Sequence, residues 1–154
     1  MAKDLTESSH DRQNILNNRY ALKQAEKHLD LGGVKFQGET VFTKAQVMAL
    51  FEVSERTVER YLASHGDELG NNGHQVLKGK KLKEFKKLNH GTDTNDGTKT
   101  SVFNIFSFRA LLNLGMLLTE SGPARLLRSR LMDIVWMLWP SGQAATPNSS
   151  TSGM

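Results

Sequence analysis

The sequence predicts an α+β, mostly helical fold: a winged helix-turn-helix with a β-hairpin wing and a C-terminal helical pair. Three stretches predict it. Phe42 to His65 holds two short helical patterns separated by a tight break. Lys86 to His90 and Thr100 to Phe106 read as strands on either side of a turn-forming run. Phe108 to Leu118 and Ala124 to Trp139 are rich in apolar residues at helical spacing.

At 154 residues the chain suits one medium domain or two very small ones. With 38% hydrophobic and 23% charged residues it has the balance of a globular protein with loose ends. Cysteine is absent, which excludes disulfides, thiolate metal sites and cysteine nucleophiles and fits a reducing cytoplasm. Residues 1–10 are polar, lack the apolar stretch of a signal peptide and are expected to be disordered. No uninterrupted apolar window of about 18 residues appears, so no membrane partner is expected.

Taken in order, residues 11–33 form an N-terminal helical segment. Its helix runs from Asp11 to Leu31, with a thin apolar stripe, and Gly32-Gly33 stops it. The winged domain with its C-terminal helices then occupies 34–139. Val34-Lys35-Phe36 and Thr40-Val41-Phe42 read as a small hairpin around the three-residue turn Gln37-Gly38-Glu39.

Next come the two helices of the central pair. Thr43 and Gln46 have the spacing of a capping box, and Val47, Leu50 and Phe51 follow on one face. Ser54 is a second N-cap candidate, after which Val58, Tyr61 and Leu62 repeat at i, i+3 and i+4. A connection this short makes the helices cross steeply. Glu52 stands where such turns usually place Gly, at a position that often needs positive φ. The face left outside carries Glu55, Arg56, Thr57, Glu59 and Arg60.

Asp67 to Gly73 holds two Gly and two Asn and reads as a loop; His74 to Leu77 reads as a strand. Gly79 to Phe85 fits either one helical turn or a lysine-rich bend. Net charge is +4, and six lysines between Lys78 and Lys87 face one acid, Glu84, so this stretch carries more charge than the whole chain. A solvated face is the ordinary reading of such a run. Beside a candidate recognition helix, Lys78, Lys80, Lys81, Lys83, Lys86, Lys87 and Lys99 become phosphate contacts of the wing.

Ser107 caps the first C-terminal helix, which Gly115 interrupts. Pro123 suits the first position of the second. Residues 140–154 are small and polar and are expected to be a disordered tail. The five histidines show no pairing at ligand spacing, and no P-loop, dinucleotide fingerprint or nucleophile elbow occurs. No catalytic residue, metal site or cofactor is expected, and the chain is not read as an enzyme.

Thr43, Gln46, Leu50, Phe51, Val53, Thr57 and Val58, followed later by Asn104, Gly115, Ala124, Arg128 and Val135, resemble the N-terminal domain of the virulence protein RhuM family. Phage antirepressor-type DNA-binding proteins are similar in the last part. Leu127 stands where the family has Phe, and the family's long C-terminal region has no counterpart here, so no activity of that region is carried over. The resemblance covers about two thirds of the chain. It implies a DNA-binding protein tied to a mobile element or defence locus.

The leading expectation is therefore a sequence-specific, double-stranded-DNA-binding regulator acting as a homodimer. Arg56 and Arg60 would read bases, while Ser54 and Thr57 hold phosphates beside Glu55. The dimer would form through Leu127, Leu131, Ile134, Trp136, Leu138 and Trp139, because Phe108 to Leu118 is apolar nearly all round and needs more cover than one helix supplies. The competing arrangement folds the N-terminal helix over that surface within one chain. A second functional reading is a protein-interaction module that sequesters a repressor or toxin.

Overall fold

The computed structural model describes residues 5–88 and 102–138. The proposed hairpin turn at 91–98, Lys99, Trp139, the side chain of Leu138 and the 140–154 tail lie outside them. Among the described residues the chain is α+β, with eight α-helices and one four-stranded antiparallel sheet.

Residues 5–10, expected to be disordered, have regular structure. Leu5–Glu7 is a short 3-10 turn with Leu5 buried, and the Ser8 hydroxyl caps α1 (Ser9–Leu16) by accepting from the Asp11 amide. The single helix expected from Asp11 is two. Asn18 accepts from the Ala21 amide and opens α2 (Arg19–Leu29), so an amide side chain that competes with the helix ladder breaks the pattern there.

β1 (Val34–Phe36) and β2 (Glu39–Thr43) pair with Phe36 opposite Glu39. The turn is therefore two residues, Gln37-Gly38, not three. Both have positive φ, the geometry that matches the strand twist. The Thr43–Gln46 capping box is present at the start of α3 (Lys44–Phe51), and Ser54 caps α4 (Glu55–Ser64) by accepting from the Thr57 amide. Between them Glu52 takes the left-handed conformation at φ 55°.

Beyond α4 the sequence reading changes more. Asp67 to Gly73 is mostly the short helix α5 (Gly66–Asn71) rather than a loop. Leu69 is fully buried and Asn72 is tied into the interior, so tertiary contacts override the Gly/Asn signal. β3 (His74–Lys78) forms as expected. Lys86 to Leu88 is not a wing strand: it ends the ten-residue helix α6 (Gly79–Leu88), whose Leu82 and Phe85 are buried at helical spacing. The strand beside β4 (Val102–Ser107) is β3, with His74 opposite Phe106 and Lys78 opposite Val102.

Strand order is β1-β2-β4-β3. Alternation of side chains places Val41, Ile105 and Leu77 on one face, where they meet Phe36, Leu82 and Phe85. Phe42 and Phe106 point to the other face and join the main core with α3, α4, α7 (Phe108–Leu117) and α8 (Gly122–Leu138). The sheet thus lies between α6 and the helical body.

α7 is buried from Ala110 to Leu117, and its cover comes from one chain. α1, α8 and the Leu5–Glu7 turn pack around it, while α2 packs on α8. Leu127, Leu131 and Ile134, expected at a dimer interface, are core residues. Ser121, not the residue before Pro123, caps α8: its hydroxyl accepts from the Ala124 amide and donates to the Phe51 carbonyl at 2.6 Å. Pro123 consequently sits at the second helical position.

Candidate nucleic-acid interface

α3 and α4 are set at their angle by short-range groups. The Glu52 and Val53 amides both donate to the Met48 carbonyl, which closes α3, and Ser121 takes the Phe51 carbonyl from the α8 side. Val58 and Tyr61 are buried, and Leu62 packs against the core, so the opposite side of α4 faces solvent. Glu55, Arg56, Glu59 and Arg60 are exposed there as expected, with Thr57 half-buried.

Most of that face is already paired. Lys44 Nζ reaches across from α3 to Glu55 at 2.9 Å and Glu59 at 2.8 Å. Burial works against the Lys44 ammonium, but the bonds to Glu59 and Glu55 outweigh it and raise its pKa. The same contact lowers that of Glu55. Arg60 forms an ion pair with Glu120 and lies over the Tyr61 ring at 5.2 Å. Tyr61 donates to the other Glu120 oxygen at 2.7 Å. That hydrogen bond, helped by Arg60, holds the Glu120 carboxyl below its usual range.

Arg56 differs from its neighbours. Among the described residues it makes no hydrogen bond or ion pair, and the helical period sets it opposite Val58 and Tyr61. Ser54 is engaged with the Thr57 amide and hydroxyl, both at 3.1 Å. Lys44, Tyr61 and Glu120 were not anticipated as part of this face. Glu120 is distant in sequence from Arg60, and no local spacing announces the contact.

The lysines are elsewhere. Lys78 ends β3; Lys80, Lys81, Lys83 and Lys87 are exposed on α6, with Lys86 half-buried. The structure does not bring them beside α4, because α6 covers the sheet face opposite the helical body. Of the six expected interface residues, Trp136 is the one exposed among the described residues, at 61%, with Leu126, also on α8, at 67%.

No group of acidic and histidine side chains among the described residues could hold a metal ion. No helix among them is long and apolar enough to cross a membrane. A groove of about 1000 Å³ runs between α2, the β1–β2 hairpin and the start of α7. Its rim mixes Arg19, Lys23, Lys35 and Arg109 with Glu26 and Glu39. Comparison with family models, curated proteins and solved structures finds no match to this chain.

Proposed function

We propose that the chain is a sequence-specific DNA-binding protein, a transcriptional regulator in which α3 and α4 form a helix-turn-helix and β3–β4 a wing. The observation that carries this reading is the αL turn at Glu52, followed by a Ser54-capped helix with Arg56 exposed and unpaired near its N-terminus. In such a unit the second helix enters the major groove, and Arg is the residue that most often grips guanine O6 and N7. An antiparallel pair following the two helices, as β3 and β4 do, supports a winged arrangement. The assignment to a mobile element or defence locus rests on the RhuM resemblance alone. The proposal includes a homodimer and no catalytic role.

Arg56 and Arg60 separate within this proposal. Arg56→Ala should cost about 1–3 kcal/mol on the preferred site and much less on random DNA. Arg60 must exchange Glu120 for a base, so its net gain is smaller and Arg60→Ala should cost less than Arg56→Ala. Selection of bound duplexes from a random pool, followed by titration of both variants, measures this. A pool that enriches no site, or an equal loss on all sequences for Arg56→Ala, would refute base reading.

One observation favours a second reading, a protein-interaction module that sequesters a repressor or toxin. Lys44, Arg56 and Arg60 balance Glu55, Glu59 and Glu120, so the α4 face is neutral and, apart from Arg56, pre-paired. A nucleic-acid-free heterocomplex broken by Arg56→Glu would replace the first reading with this one.

A further inference from the structure

α6 carries the densest unneutralised charge among the described residues. Leu82 and Phe85 turn inward onto the sheet. The helical period then sets Lys80, Lys83 and Lys87 on the outer side, at i, i+3 and i+7. At about 1.5 Å per residue these three span roughly 10 Å. Lys81 and Lys86 flank the stripe, and Lys78 precedes it. Glu84 is the one acid on the helix, and no α6 lysine forms an ion pair among the described residues. At the α4 face, by contrast, Lys44 of α3 and Arg60 of α4 are already held by carboxylates.

An unpaired cationic stripe gains most from a polyanion whose condensed counterions it can displace. The exposed side of α6 offers no Arg, Asn or Gln, the side chains that read base edges, so it suits a backbone and not a sequence. It does not suit a lipid surface, because the apolar residues such a helix would insert are committed to the sheet, apart from Leu88. Position then separates it from α4, since the sheet lies between α6 and the helical body.

We propose that α6 is a second nucleic-acid surface, which holds the phosphate backbone of a duplex segment other than the one α4 addresses. The chain would then bridge two segments of DNA. This extends the DNA-binding reading of α4, and the test separates the two.

The full chain is compared with the Lys80→Gln, Lys83→Gln, Lys87→Gln triple variant and with Arg56→Ala. On random-sequence duplex the triple variant should lower the slope of log affinity against log salt by about 2.7, at about 0.9 per contact. Two differently labelled duplexes, each about one helical turn long, should show fluorescence transfer with the unmodified chain and none with the triple variant. A homodimer that bridged through its α4 helices would keep transfer in the triple variant, which would overturn the proposal. So would an unchanged salt slope, a slope change without transfer in the unmodified chain, or capture on phosphatidylserine vesicles without duplex binding. Transfer lost in the triple variant but indifferent to Arg56→Ala on every sequence would uphold the α6 surface and refute base reading by α4.

Discussion

A Cβ on Gly115 would collide with a Leu127 methyl and stand 3.0 Å from Phe51 Cζ. The bare backbone of α7 is what lets α3 and α8 close on it from two sides, and Arg128 reinforces the contact by donating to the Gly115 and Leu118 carbonyls. Gly70, on α5, meets nothing within 4 Å and has no positive φ. The same substitution should therefore have opposite signs at the two sites. Gly115→Ala should destabilise by about 1–3 kcal/mol, because overpacking outweighs the better helix propensity of Ala. Gly70→Ala should stabilise by about 0.5 kcal/mol through the unfolded chain. Urea midpoints at constant slope measure both.

At the scale of elements, the N-terminal helices are held by polar groups as well as apolar ones. Arg12 is 4% exposed and forms a two-pronged bond to Glu68, at 2.7 and 2.9 Å, while also donating to the Leu5 carbonyl. Asn113 donates to the same carboxylate and accepts from Asn72, so α1, α5 and α7 share one network. Burial works to raise the Glu68 carboxyl, but the Arg12 and Asn113 bonds outweigh it and its pKa is lowered. The network's contribution is then complete above the unfolded carboxyl value of 4.5 and is lost as pH falls through the lower folded value. Arg12→Ala should cost about 1–3 kcal/mol by stranding a half-buried carboxylate, and should flatten this acid dependence. Thermal unfolding across the acidic range would show a parallel acid curve instead if the pair contributed nothing. The bonds linking Arg12, Glu68, Asn113 and Asn72 could not be read from the chain, because each joins residues far apart with no repeating pattern. Caps are different: the Thr43–Gln46 box, Ser54 and Ser107 were legible, since each bond closes within three residues. α5 and α6 were misread where Gly, Asn and Lys gave weak local signals and burial of Leu69, Leu82 and Phe85 decided the outcome. On the candidate interface Arg56 was legible from helical spacing. The hold of Glu120 on Arg60 was not.

For the molecule as a whole, the helices that cover α7 remove the reason the sequence offered for a dimer, although not the dimer itself. Among the described residues, Leu126 and Trp136 are the exposed large apolar groups on α8, so self-association within the proposed regulator should depend on them. Trp136→Ala should leave the fold intact and shift sedimentation toward the monomer, and an unmodified chain already monomeric would remove the dimer from the proposal. The strand order has a further consequence, for the order of events during synthesis. β4 lies between β2 and β3 in space yet follows both in the chain, and α1 and α2 bury themselves against α7 and α8, which emerge later still. A nascent chain that has reached α6 holds two strands without their shared neighbour and two leading helices without their cover. Completion of the sheet and core therefore needs the 102–138 region, and until it leaves the ribosome the early strands should be most open to proteases and to pairing with other chains.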